Sequence, residues 1–214
     1  MRMIGLAMAV SVLGFSAAAE DKAEDTGRYN GYEVPAYTVL DSEGSIELRD
    51  YAPHIVAEVT VEGSRRQAAS KGFRLLANYI FGGNTTAAKV AMTAPVTQSE
   101  PIAMTAPVTQ SGAGNTWTVR FAMPSSYTLE SLPAPKNSAV TLFEVDPGTR
   151  LVIRFAGRAL TRSLTQYKDR LQSYAKLKGL TLTGGPEYAY YDDPFTLPWR
   201  RRNEVSFSVV PATN

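Results

Sequence analysis

Residues 45–81 read SIELRDYAPHIVAEVTVEGSRRQAASKGFRLLANYIF, and this stretch decides the fold. Its first part alternates, with Ile46, Leu48 and Asp50 on one parity and Glu47, Arg49 and Tyr51 on the other. Ala52-Pro53 breaks the run. His54 to Glu62 then alternates again, with Ile55, Ala57, Val59 and Val61 on one face. A period of two is that of a half-buried strand, so the two runs predict an antiparallel hairpin. After Gly63 the period changes. Ala69, Phe73, Leu76 and Ile80 recur at i, i+4, i+7 and i+11, one face of a helix. Ser64 is placed to cap that helix and Gly82-Gly83 to stop it.

Downstream, the nonamer Ala91-Met-Thr-Ala-Pro-Val-Thr-Gln-Ser99 recurs letter for letter at Ala103 to Ser111. Val and Thr after each proline suit extended segments, and a proline lacks a ladder donor, so each copy is expected at a sheet edge or bulge. Ser99-Glu-Pro101 reads as a turn between them. Two copies are too few for a solenoid, which leaves a small local duplication. Thr116 to Met123 is a strand with Trp117, Val119, Phe121 and Met123 on one face, and Pro124 to Lys136 is an aperiodic connector.

The pattern then restarts. Ala139 to Val145 and Arg150 to Ala159 read as strands around a Pro147-Gly148 turn. Thr161 opens a second helix with Leu164, Tyr167, Leu171 and Tyr174 on one face, ended by Gly179. Strands follow at Glu187 to Tyr191 and Glu204 to Val210. The order strand, strand, helix, strand, strand thus occurs twice. It predicts an α+β fold of duplicated halves, joined as one curved antiparallel sheet or open barrel with two flanking helices. The cleft between a helix and the sheet is the expected small-molecule site.

Upstream, Tyr32 to Leu40 reads as a first extended segment, and residues 20–31 as a polar, disordered leader. Met1 to Ala19 has a basic residue, an apolar run from Ile4 to Phe15 and a small-residue end at Ala17 to Ala19. It reads as a signal peptide cleaved after Ala19, because the run is too short for a span. A periplasmic or secreted location, without stable membrane insertion after cleavage, is the expectation. The mature chain carries a net charge of one, which gives no reason to expect nucleic acid or an anionic membrane surface. Arg200-Arg201-Arg202 reads as a solvated or ion-paired cluster.

Several stretches resemble the SOUL haem-binding protein family. They are Ile46 to Pro53, Gly72 to Ile80, Lys89-Val-Ala-Met-Thr-Ala-Pro-Val96, Pro133-Ala-Pro135, Tyr191-Asp-Asp-Pro194 and Arg201-Arg-Asn-Glu-Val205. They run in family order through a domain taken as residues 32–211. The resemblance implies a duplicated, effector-binding-domain-like fold that binds haem or a related tetrapyrrole. Where some members carry a histidine before the tyrosine of Arg-x-Tyr, this chain has Asp50.

With that ligand in view, Phe73, Leu76, Ala77 and Ile80 would line an apolar groove between the first helix and the sheet, with Met92 or Met104 against it. Lys71 or Arg74 would pair with the propionates. The same apolar residues also suit a plain helix-to-sheet core, and methionine fills irregular apolar space. His54, the single histidine, is a candidate iron ligand or a plain strand-start residue beside a turn. Enzyme chemistry finds little support: the chain has no cysteine, no nucleophile elbow, no phosphate loop and no zinc spacing. The alternative is a binding module for another amphipathic small molecule or a protein partner, without haem.

Overall fold

The computed structural model describes residues 27–99, 115–193 and 195–210. The segment expected as a signal peptide, the second nonamer copy with Met104, and residues 100–101 of the expected turn between the copies lie outside the described residues. A short hairpin comes first, β1 (Arg28–Tyr29) with β2 (Tyr32–Glu33). Residues 27–31 of the stretch expected as a disordered leader thus take part in defined structure. Then follow β3 (Tyr37–Glu43), β4 (Ile46–Tyr51), β5 (His54–Glu62), α1 (Arg65–Ile80), β6 (Val96–Ser99) and β7 (Thr116–Ala122). The rest are β8 (Thr141–Val145), β9 (Gly148–Ala156), α2 (Thr161–Leu177), β10 (Leu182–Tyr190), a 3-10 turn (Pro198–Arg200) and β11 (Arg202–Val209).

Nine strands form one open antiparallel sheet in the order β3-β4-β9-β11-β10-β6-β7-β5-β8. The element run β4-β5-α1-β6-β7 is matched by β8-β9-α2-β10-β11. The expected hairpins do not form, however. β4 pairs with β9 and β5 with β8, so each run lends its first strand to the other. The links explain this. Ala52-Pro53 and Asp146-Pro147 are each two residues long. A type I′ turn needs positive φ at both positions, which proline forbids at the second, and a type II′ turn favours glycine at the first, where Ala52 and Asp146 stand.

The nonamer also departs from expectation. Its first copy ends in β6, which lies inside the sheet between β10 and β7 rather than at an edge. Pro95 immediately precedes the strand, so no ladder donor is lost where pairing begins.

Both helices pack on one face of the sheet. α1 covers Ala57 and Val59 of β5 and Val119 and Phe121 of β7. α2 covers Leu151, Ile153 and Phe155 of β9 and Val205 and Phe207 of β11. The register makes these one continuous face: Val59 opposes Val119, Val119 opposes Gln98, Gln98 opposes Tyr188, and Tyr188 opposes Val205. The helix start obeys its sequence signal, since the Ser64 amide and hydroxyl both donate to Gln67 Oε1, at 3.0 and 2.9 Å.

The buried stripe of α1 is Ala68, Gly72, Leu76, Tyr79 and Ile80, one position away from Ala69 and Phe73. Gly72 sets that rotation. A Cβ there would sit 2.6 Å from the Val119 side chain, so only glycine lets the helix backbone lie this close to β7. Past the helix, buried Asn84 donates to the Tyr79 and Ala88 carbonyls, at 3.1 and 2.7 Å, and accepts from the Ala88 amide at 3.0 Å. Those bonds fix the turn that carries the chain back to the sheet.

Candidate functional site

The groove expected between α1 and the sheet is filled by the protein's own side chains. Leu76 and Ile80 are fully buried in the core with Val119, Phe121 and Met123. Phe73 is exposed and meets Phe121 edge-on, centroids 5.4 Å apart. Ala77 is half-buried, and Met92 is half-buried against the same core. Lys71 and Arg74 are exposed on α1, and Lys71 donates to the Glu62 carbonyl at 3.2 Å. Apart from Met92 the described residues expected at this groove share α1, and none of them lines either of the two cavities described next.

Two cavities lie elsewhere. One, of about 370 Å³, is floored by side chains of the opposite strand parity: Val56, Thr97, Arg120, Glu187, Ala189, Glu204 and Ser206. It therefore opens on the sheet face that carries no helix. The other, of about 600 Å³, adjoins it and is lined by Arg28, Glu33, Ile55, Met123, Leu129, Glu130 and Glu144 among others. Val34, Pro35, His54 and Ala122 line both. His54 thus stands in the shared wall. Its Nδ1 is 3.0 Å from the Ala52 carbonyl, which can only accept, so Nδ1 donates, and Nε2 has no hydrogen-bond partner among the described residues.

The floor of the smaller cavity rests on a buried ionic cluster. Glu204 of β11 is 3% exposed and Arg49 of β4 is 1% exposed. They form a two-pronged pair, with Arg49 Nη1 and Nη2 donating to the two Glu204 oxygens at 3.0 and 3.1 Å. Arg49 Nε reaches Glu47 at 2.7 Å, and its guanidinium lies 4.4 Å from the Tyr37 ring centroid. Arg202 donates to Glu204 Oε1 at 3.0 and 2.9 Å, and the Tyr191 hydroxyl donates to Oε2 at 2.8 Å. Arg202 stacks over Tyr191 and Tyr29. The β1–β2 segment covers the cluster, with Tyr29 donating to Asp192 at 3.1 Å.

The titration behaviour follows from this packing. Burial opposes ionisation of Glu204, but the Arg49 and Arg202 guanidiniums outweigh it, so its carboxyl stays below the usual range. Burial opposes the charge of Arg49 as well, and the Glu204 carboxylate holds it protonated beyond its ordinary value. Burial lifts the Tyr191 hydroxyl well above the ordinary phenol range, and the Glu204 charge adds to this. The two arginines, Glu204 and Glu47 together balance to neutrality. The cluster is therefore a fixed dipolar floor, whereas Arg150, bonded to Ser206 at 3.0 Å and paired with Glu187 at 3.3 Å, meets the cavity directly.

Arg49, Arg202, Glu204 and Tyr191 were not expected as site residues. Yet they lie in Ile46 to Pro53, Tyr191 to Pro194 and Arg201 to Val205, three of the stretches that carry the resemblance. Residues 32–208 match the family model described as SOUL heme-binding protein, which is most of the chain. The chain belongs to the SOUL heme-binding protein family. Among relatives, this SOUL protein is 29% identical to Heme-binding protein 2 of Homo sapiens, over 88% of its own length and 89% of the relative's.

Solved structures share the fold at lower identity. The EcmrR C-terminal domain matches with a TM-score of 0.56 at 12% identity, covering 81% of the SOUL chain and 98% of that domain. A hydrolase from Listeria innocua matches with a TM-score of 0.54 at 14% identity, covering 80% and 94%. At such identities the likeness speaks for the architecture only, an open antiparallel sheet with two helices.

Proposed function

We propose that this SOUL family member binds haem or a related tetrapyrrole, with the ligand against His54 on the helix-free face of the sheet. One observation carries the placement: His54 stands between two adjoining cavities, and its Nε2 has no hydrogen-bond partner among the described residues. Volumes of about 370 and 600 Å³ lie in the range of small-molecule sites. Val34, Pro35, Ile55, Ala122 and Met123 supply apolar lining. Arg28 at one cavity, and Arg120 and Arg150 at the other, are the cations within reach of ligand carboxylates. Haem bound there supplies an iron with axial positions that imidazole nitrogen can fill.

The test is titration of the purified chain with hemin, followed at the Soret band. A saturable one-to-one change at micromolar protein is expected, and its absence counts against the reading. His54→Ala should change the coordination spectrum, whereas an unchanged spectrum removes His54 as ligand. Phe73→Ala separates this placement from one on the outer side of α1, where Phe73, Ala77, Lys71 and Arg74 lie, because binding on the helix-free face leaves it without effect.

The polar floor of Arg150, Glu187 and Ser206 favours a second reading, an amphipathic ligand other than haem. Mass spectrometry of small molecules that co-purify with the chain distinguishes the two. We also propose that the mature chain begins at Glu20 in the periplasm or outside the cell, which N-terminal sequencing of the native protein checks.

A further inference from the structure

Four of the exposed apolar side chains lie on two loops joined to each other. Phe195 is 94% exposed and Trp199 69% exposed, with Leu197 between them on the approach to the 3-10 turn. Leu160, 58% exposed, stands at the start of α2. The two loops are joined, because the Gly157 amide donates to the Pro198 carbonyl at 2.9 Å. The presenting loop is braced from within: Asp193 Oδ1 accepts from the Phe195 and Thr196 amides at 2.6 and 2.9 Å, and Arg201 Nε donates to the Thr196 carbonyl at 2.7 Å. Exposed Arg158, Arg162 and Arg200 flank the apolar residues, and none of the three is ion-paired among the described residues.

We propose that these two loops dock the protein peripherally on an anionic lipid surface. Clustered exposed apolar residues mark an interaction site. Here they project from turns, and none of them lines either cavity. A tryptophan beside arginines matches the chemistry of the membrane interface, the ring at headgroup depth and the cations on lipid phosphates. The run Arg200 to Arg202 divides accordingly. Arg202 is spent on Glu204, Arg201 braces the loop, and Arg200 is left facing outward. No described helix is long and apolar enough to cross a membrane. The inference is independent of the haem reading.

The experiment is cosedimentation of the mature chain with phosphatidylcholine vesicles and with equimolar phosphatidylcholine and phosphatidylglycerol vesicles at low salt. Binding to the anionic vesicles alone, weakened by added salt, is expected. Each of Arg158→Gln, Arg162→Gln and Arg200→Gln should reduce it about five-fold. The double variant Phe195→Ser/Trp199→Ser should lose it, while its unfolding midpoint stays that of the parent. With two tryptophans in the chain, Trp117→Phe makes Trp199 the sole reporter, and its emission should move to the blue on anionic vesicles. No sedimentation of the wild type with anionic vesicles, or equal sedimentation of the double variant, overturns the proposal. So does capture of an acidic protein through these loops without vesicle binding.

Discussion

Replacing Glu204 by glutamine probes the ionic cluster under the smaller cavity. The substitution keeps size and shape but removes the charge that two guanidiniums share. Arg49, at 1% exposure, cannot turn to water, and Arg202 is largely buried as well. The new amide would also place N–H groups against guanidinium donors. Breaking a buried pair by removing one partner costs about 3–5 kcal/mol. For a domain of this size that lowers Tm by roughly 6–20 °C. The assay is urea unfolding followed by tryptophan fluorescence, with the midpoint falling and the slope unchanged.

Arg49→Met should also destabilise, and the double variant Arg49→Met/Glu204→Gln should lose at least ~1 kcal/mol less than the sum of the two. The pH dependence has a definite sign. Glu204 titrates below its unfolded value, so its stabilisation is complete above that value, about 4.3, and is lost as pH falls through the folded one. The acid limb of the wild-type stability curve should therefore be steeper than that of Glu204→Gln. A loss below about 1 kcal/mol, the size of a solvated surface pair, would refute the account of a dry cluster.

Other expectations are narrower. Gly72→Ala forces a Cβ to 2.6 Å from Val119; overpacking of about 1–3 kcal/mol exceeds the helix-propensity gain of about 1, so thermal unfolding should show a net loss. A stabilised variant would mean that α1 lifts off β7 freely. Asn84→Ala takes the side-chain donor from the Tyr79 and Ala88 carbonyls and the acceptor from the Ala88 amide, and chemical denaturation should report a loss of about 2–3 kcal/mol. His54→Ala should leave folding unchanged while altering the hemin spectrum, because His54 is half-buried and its side-chain hydrogen bond to Ala52 is local.

The site was less legible than the elements, for a reason visible at Arg49. In an alternating strand, a charged residue opposite Leu48 reads as the solvent face. The reading fails because the β1–β2 segment, with Tyr29 and Val34, closes over that face and because Glu204 arrives from the far end of the chain. The motif stretches held the clue, since Arg49, Tyr191 and Glu204 all lie in them, but only the fold brings the three together. Likewise Phe73 fitted the helical period and yet is exposed, because a glycine one position earlier takes the contact with β7.

From its own letters the chain determined most of the described strands and both helices, their order, and the caps of α1, because those depend on neighbours within a turn or a pleat. The prolines at 53 and 147 even held a local veto on the hairpins that alternation suggested. Which strand pairs with which, which face stays hollow and which arginine of three is buried were decided by tertiary structure alone. Pairing and burial join residues as far apart as Arg49 and Glu204, 155 positions, and periodicity carries no information across such a distance.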